Sequence, residues 1–439
     1  MKKILVIILI TLSVNYSYAQ EILKIEDLLP YLEESPQWKI AQAKYESVLS
    51  RYNVSSASFL PQINSQISYS LQEASYTLGK MESKNLNLNL SYSQVIFPWG
   101  QAGISLQSSA IDLEKEKNNL KLTYQNLIYQ LTDKFYKLYL AQEQVKIAQE
   151  SHNLYVKQRE NAEKQYKSGN LSLVSLMDYQ AKEKNTEINL QIAKNNLELA
   201  YKSLENFLGR RIERIPTIVD LNYKEMNEKP EDLLEILRNN NLSIKNASLD
   251  LEKAKLSLKQ AQLPSLVFSL KGNYNKDNNS LSFSWDTQKY ALSINYGYNY
   301  PFDGKTSQEN WNLSFNFSIP LYDAGIRKEG IKQAELSLSQ AEISFENTIK
   351  DVELSFWQTY YNLLQAQENV KQRELILERE KTNYEFQKTR FQIGLITEYD
   401  LKQYEISYLQ AEYDLKKAIL DFKIAKIQLE NLLNRLGGF

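Results

Sequence analysis

The sequence predicts an α+β membrane protein in which long antiparallel helices occur in two copies and four β-strands per chain supply part of a barrel. Three observations predict it: an internal duplication, helical patterns too long for an ordinary domain, and alternating segments with one apolar and one polar face. The duplication is read from Gln165-Tyr166-Lys167-Ser168-Gly169-Asn170-Leu171-Ser172 and Arg390-Phe391-Gln392-Ile393-Gly394-Leu395-Ile396-Thr397, two expected hairpin tips whose glycines lie 225 positions apart. At that offset Ala141-Gln142-Glu143, Val145 and Lys146 return as Ala366-Gln367-Glu368, Val370 and Lys371. Leu204-Glu205-Asn206, Leu208 and Arg210 return as Leu429-Glu430-Asn431, Leu433 and Arg435. Such spacing marks one supersecondary unit used twice.

Composition narrows the class further. Among 439 residues Gly (13) and Pro (9) are scarce, which fits few turns and long elements. Residues 1–19 carry Lys2-Lys3, an apolar run from Ile4 to Val14, and Ser17 and Ala19 ahead of a cleavage point, the pattern of a secretory signal peptide. The remainder, 20–439, is expected to be a single unit of two repeats, 20–230 and 231–439, and no later stretch has the roughly eighteen apolar residues of a membrane-spanning helix. Cysteine is absent, which excludes disulfides, thiolate metal sites and amino-terminal lipidation. Lys and Arg (52) nearly balance Asp and Glu (53), so nothing points to nucleic acid.

Asp27 to Phe59 reads as one helix, with Pro36 as a candidate interruption. Ile63, Ser65, Ile67, Tyr69 and Leu71 then alternate with Asn64, Gln66, Ser68, Ser70 and Gln72. Leu86, Leu88, Leu90 and Tyr92 alternate with Asn87, Asn89, Ser91 and Ser93, so a β-hairpin is expected at about 62–97. The next helical pattern persists to about Lys167, nearly 100 Å at ~1.5 Å per residue. A return helix ends at Leu208-Gly209, and residues 210–230 form a mixed connector. The second copy has a helix from Glu231 to Gln262 and a hairpin at about 264–319, with Leu266, Phe268 and Leu270 on one strand and Trp311, Leu313, Phe315, Phe317 and Ile319 on the other. Between these strands Leu281–Trp285 and Tyr290–Tyr300 also alternate, and a hairpin lengthening the external loop is expected there. A second rod to about Ile393 and a last helix to Leu436 complete the plan. The lengths let two short helices stack end to end beside each rod, with the breaks at 210–230 and near the termini forming a belt.

Each of the four main strands, about nine to eleven residues, is long enough to cross an outer-membrane hydrocarbon layer when tilted. Four strands cannot close a barrel, and open edges are not tolerated in lipid, so several chains must complete it. A soluble sandwich is the competing reading, but the small Asn, Ser and Gln side chains of the polar face suit a wet lumen better than a packed core.

The duplicated plan, the Pro-x-x-x-Ala-Gly segments at Pro98 and Pro320, and the second tip with Asp400 six residues past Gly394 resemble the TolC family of outer-membrane efflux proteins. The resemblance covers essentially the whole chain after the leader. It implies a homotrimer with a 12-stranded outer-membrane β-barrel, a twelve-helix periplasmic tunnel and an entrance closed at the helical tips. Such a protein is the exit duct of a tripartite efflux or type I secretion system. Implied partners are a periplasmic adaptor (membrane fusion) protein, an inner-membrane RND or ABC transporter and outer-membrane lipid, with no cofactor and no metal. The family's adaptor contacts map to Gly394, Leu395 and Ile396 and, through the repeat, to Gly169, Asn170, Leu171 and Ser172. Entrance-gate positions map to Asp400 with Glu398 beside it; in the first copy the Asp400 position is Ser175, and Asp178 follows three residues later.

Two other classes compete. An enzyme finds little support, because His152, the only histidine, is expected on a solvated helix surface and no Gly-rich phosphate loop or metal-ligand cluster occurs. A periplasmic coiled-coil adaptor or spacer without a channel accounts for the rods but not for the alternating strands.

Overall fold

The computed structural model describes residues 22–76, 79–302 and 307–435; the leader expected at 1–19 and the helix end expected at Leu436 lie outside the described residues. A short 3₁₀ turn (Leu29–Leu32) precedes α1 (Pro36–Ala57), β1 (Gln62–Tyr76), β2 (Gly79–Val95), α2 (Gly100–Lys167), α3 (Leu173–Leu208), α4 (Pro230–Asn240) and α5 (Leu242–Gln262). The second copy continues with β3 (Val267–Asp277), β4 (Asn279–Asp286), β5 (Ala291–Pro301), β6 (Ser307–Ser318), α6 (Ile326–Gln392) and α7 (Glu398–Leu432). The α+β class and the duplicated long helices agree with the sequence reading.

Four expectations are corrected. Pro36 starts α1 instead of interrupting a longer helix, as suits a residue without an N–H at a position where that N–H has no helical partner. The helix expected over 231–262 is two helices, because Asn241 ends α4 and caps α5. Its side chain accepts from the Ser243 and Ile244 amides and donates to the Leu432 carbonyl at 2.9 Å. His152 is half-buried, its Nδ1 3.3 Å from the Thr186 hydroxyl on α3, and not on a solvated surface. Finally, the described residues hold six strands instead of four main ones: the hairpin expected in the external loop lies inside the sheet.

The six strands form one antiparallel sheet in the order β1-β2-β5-β4-β3-β6. Directly opposed residues share a face, and the register sorts the side chains cleanly. One face carries Ile67, Leu88, Tyr298 and, across the other ladders, Phe283, Ile294, Leu270 and Phe315; the other carries Ser68, Asn87, Asn299, Ser282, Asn295, Asn273 and Asn312. Aromatic rings gather at both strand ends. Phe97 stacks on Trp99 and Trp99 meets Tyr290 edge-on at one end, while Phe302 meets Tyr69 and Tyr300 at the other. Paired girdles of this kind flank the lipid band of membrane barrels.

The chain divides into two compact units, one comprising the residues up to Pro36, Leu127–Met226 and Asn362–Ile427, the other Gln37–Asn126, Asn227–Tyr361 and the residues from Gln428 on. The second unit holds the sheet. There α2 and α5 are joined by polar side chains: Lys253 on Asp112 and Lys115 on Asp250, each at 2.6 Å, and Asn118 on Asn246 at 2.9 Å. Two segments matched by their Pro…Ala-Gly pattern serve different needs. A Cβ on Gly103 would fall 2.0 Å from the Pro98 carbonyl oxygen, so Gly103 answers a close approach, whereas Gly325 meets no such crowding and takes a left-handed φ of +82°.

The repeated blocks do similar work in the two copies. The buried stripe Leu127, Leu131, Phe135 and Leu138 of α2 returns 225 residues on as Val352, Phe356, Tyr360 and Leu363 of α6, spacing that keeps one helix face inward. Gln142 follows on this stripe: its Nε2 donates to the Tyr201 hydroxyl and the Ile215 carbonyl, and its Oε1 accepts from the amide and hydroxyl of Thr217. Gln367, its counterpart, accepts from the Met226 amide at 3.0 Å. Both repeated glutamines therefore pin the connector that follows α3, and a parallel bridge from Leu23 to Thr217 adds the amino-terminal segment to it. Burial alone pushes the Glu143 carboxyl up, but Lys146 and Lys416 hydrogen-bond it and hold it below its usual range. The repeated Leu-Glu-Asn block closes a helix in each copy, with left-handed residues at the equivalent positions Gly209 and Asn434.

Candidate functional site at the helical tips

Both tips are built by the same backbone device. At the end of α2 the Gly169 amide donates to the Tyr166 carbonyl and the Asn170 amide to Gln165; at the end of α6 Gly394 donates to Phe391 and Leu395 to Arg390, all at 2.9 Å. This paired pattern needs a left-handed residue just past the helix, and Gly169 (φ +78°) and Gly394 (φ +77°) supply it with open space around the missing Cβ. Glycine is thus fixed here by conformation, since an L side chain at this φ is strained.

The next helix is capped three residues beyond each glycine, again by a shared device. Ser172 caps α3, accepting from the Ser175 amide at 3.1 Å, and the two hydroxyls lie 2.9 Å apart. At the equivalent positions Thr397 accepts from the Asp400 amide at 3.2 Å while the Asp400 carboxylate accepts from the Thr397 amide at 3.0 Å and its hydroxyl at 2.7 Å. That reciprocal arrangement is a capping box. The Thr397 hydroxyl and amide hold the Asp400 carboxyl below its usual pKa. Ser175 and Asp400 thus share the amide bond to the capping hydroxyl, but the reciprocal bond from the cap's own amide is seen only at Asp400. Asp178 pairs with Lys182 at 2.7 Å, one turn along α3; Glu398 stands exposed in the first turn of α7.

Exposure changes the list of apolar tip residues. Leu395 is 63% exposed, whereas Leu171 and Ile396 are half-buried. The sequence reading missed Ile393 at 67%, Val174 at 77%, Leu173 and Met177, all exposed. A signal for the last three was present: the first turn of α3 is apolar on successive positions, which a helix with one buried stripe does not need. The two tips thus differ, one showing Leu173, Val174 and Met177 on its helix, the other Ile393 and Leu395 on its turn.

Further up the hairpins the repeat substitutes one kind of contact for another. Arg159 on α2 bonds Glu183 on α3 at 2.8 Å and Glu163 at 3.1 Å. At the same offset Tyr384 on α6 and Tyr408 on α7 stack with centroids 5.9 Å apart and planes 8° from parallel.

Comparison with known proteins agrees with this architecture. The outer membrane protein TolC of Vibrio cholerae serotype O1 is 22% identical over 415 residues, covering 92% of this chain and 89% of that protein. In fold, the chain resembles the Campylobacter jejuni CmeC outer membrane channel (TM-score 0.71, 14% identity, 94% and 87% coverage) and the outer membrane protein VceC of Vibrio cholerae (TM-score 0.64, 17% identity, 94% and 96% coverage). The outer membrane efflux protein model matches residues 30–210 and 233–435, and with both halves of the duplication accounted for, the chain belongs to the outer membrane efflux protein family.

Proposed function

We propose that three copies of this chain form a duct through the outer membrane, its helical tips meeting a periplasmic adaptor that joins it to an inner-membrane pump of the RND or ABC type. The observation that carries this reading is the sheet: apolar side chains on one face, Asn and Ser on the other, and two edges, β1 and β6, each with a neighbour on one side only. In lipid an open edge leaves a row of unsatisfied backbone groups, so other copies must close it. The printed descriptions of the relatives, an outer membrane protein and an outer membrane channel, support the same placement, and the leader expected at 1–19 supports export.

The adaptor contact is assigned to the tips Gly169–Ser172 and Gly394–Ile396, extended by Val174 and Ile393. The exposed side chains of Leu395, Ile393 and Val174 support it, because aliphatic groups displayed at a helical tip suit a partner surface. The entrance is assigned to Asp400, Glu398 and Asp178 with Ser175. The lowered pKa of Asp400 keeps its charge in place throughout the neutral range, and three such charges around one axis favour cations.

The testing variant is Leu395→Asp in the full chain. Export and crosslinking to the adaptor are expected to be lost while membrane insertion and the oligomer persist; normal export in this variant removes Leu395 from the contact. For the entrance, planar-bilayer recording of Asp400→Asn at low salt is expected to lower the cation-to-anion permeability ratio. An unchanged ratio leaves Asp400 as a cap alone.

A further inference from the structure

We infer that the closed barrel contains eighteen strands, six from each of three copies, in place of the twelve that four strands per chain give; the inference rests on the threefold assembly proposed above. The β4–β5 hairpin is seated between β2 and β3, along Asn85–Val95 of the one and Ser269–Lys276 of the other. β5 pairs with β2 from Ala291/Val95 to Pro301/Asn85, and β4 pairs with β3 from Asp286/Ser269 to Asn279/Lys276. Both ends are fastened. At one end the Ile96 amide donates to the Tyr290 carbonyl, the Phe268 amide to the Thr287 hydroxyl and the Thr287 amide to the Phe268 carbonyl, each at 2.9 Å. At the other the Asn299 amide donates to the Asn278 carbonyl at 2.8 Å.

Two glycines show that the sequence is written for these pairings. Phe283 of β4 lies across Gly272 of β3, where a Cβ would come 2.2 Å from its ring. Gly297 of β5 sits between its two neighbours, where a Cβ would come 2.5 Å from the Ser280 Oγ of β4 and 2.8 Å from the Asn89 Oδ1 of β2. In a strand, glycine marks such close approaches.

Both faces continue through the hairpin. Leu281, Phe283 and Trp285 oppose Tyr296, Ile294 and Leu292 on the apolar side, and Ser282 and Ser284 oppose Asn295 and Ser293 on the polar side. A loop in water has no use for an unbroken apolar face; a lipid-facing strand requires one. The alternation of six antiparallel strands also leaves β1 and β6 running in opposite directions, so β6 of one copy meets β1 of the next antiparallel and no parallel seam arises.

Width follows from the count. With strands about 4.8 Å apart and tilted about 40°, eighteen give a backbone ring about 36 Å across, against about 24 Å for twelve. Allowing about 5 Å of side chain on each side, the bore is about 26 Å instead of about 14 Å. A helix with its side chains is about 10–12 Å wide, so the wider bore admits helical polypeptide with two helices abreast, and size selection falls to the tips.

The chain has no cysteine, so engineered pairs report strand neighbours directly. Opposed residues in antiparallel ladders lie about 4.5–5.5 Å apart, within disulfide range. In full-length protein recovered from outer membranes, Ser91→Cys with Asn295→Cys and Asn273→Cys with Ser282→Cys are expected to crosslink within the chain. Ser91→Cys with Asn273→Cys, separated by two strands, is not. Native mass is expected to give three chains, and electron cryo-microscopy a ring of about 36 Å. The reverse crosslinking pattern overturns the six-strand contribution and returns the count to twelve. The expected pattern with two chains by mass also overturns eighteen, but through the threefold assembly and not through the sheet.

Discussion

Replacing Phe315 by Arg tests the assignment of the sheet's faces. Phe315 is 65% exposed in the single chain and opposes Leu270 across the β3–β6 ladder, with Leu313 and Phe317 on its own face. The apolar positions of β6 run from Trp311 to Phe317, so Phe315 lies one residue from their centre. At about 3.3 Å rise and 40° tilt that is about 2.5 Å from the centre of a lipid band roughly 25 Å tall. Arg near the midplane of such a band costs about 2–4 kcal/mol; taking ~3, the folded-to-unfolded ratio of each chain falls by roughly 150-fold. Asn316→Arg places the same cation on the opposite face, beside Ser269, where water solvates it, and its expected cost is within about 1 kcal/mol. The assay is urea-dependent folding into vesicles, read by the gel shift of the heat-modifiable barrel. Equal losses from the two variants, or a larger loss from Asn316→Arg, refute the assigned faces.

Other consequences are open to measurement. Asp400→Asn is expected to destabilise the second hairpin by about 0.5–1 kcal/mol through its capping box. Because the folded pKa of Asp400 is depressed, this contribution is present above the unfolded value near 3.8 and is lost as pH falls through the folded value, so wild type and variant converge only in stronger acid, below the folded value. Gln142→Ala removes four hydrogen bonds, three to the connector and one to Tyr201 of α3, and is expected to cost about 2–4 kcal/mol, against about 1 for Gln367→Ala, which removes one; chemical denaturation with limited proteolysis at 210–226 compares them. Asn241→Ala is expected to cost about 1–2 kcal/mol by uncapping α5, and Asn241→Asp, which keeps the acceptor, should recover most of it in the same thermal melts.

Much of the fold was legible because its signals are periodic. The 225-residue offset located both tips, and alternation located every strand, including Leu281–Trp285 and Tyr290–Tyr300. Partner choice was not legible: alternation shows that a segment is a strand with two faces but not which ladder it joins. The information that decides it sits in Gly272 and Gly297, whose meaning appears only once Phe283, Ser280 and Asn89 lie beside them. At the tips, the glycines and Asp400 were found, but Asp400 was read chiefly for its charge, and its bond to Thr397 depends on a three-residue spacing that Ser172 and Ser175 satisfy without any acid. Exposed Val174 and Ile393 escaped because a single sequence does not separate an apolar residue that is buried from one that is displayed.

The exchange of Arg159–Glu183 for Tyr384–Tyr408 at one place in the repeat gives the two hairpins different sensitivities to their surroundings. An ion pair between partly exposed side chains weakens as salt rises and is abolished when the carboxylate is protonated. Two stacked phenol rings are held by ring-to-ring contact, which involves no ion pair and loses nothing to either change. At this place in the repeat, α2 and α3 are therefore fastened by a clasp that brine or acid loosens and α6 and α7 by one that neither touches, the second hairpin keeping its own ion pair elsewhere, between Arg373 and Asp414.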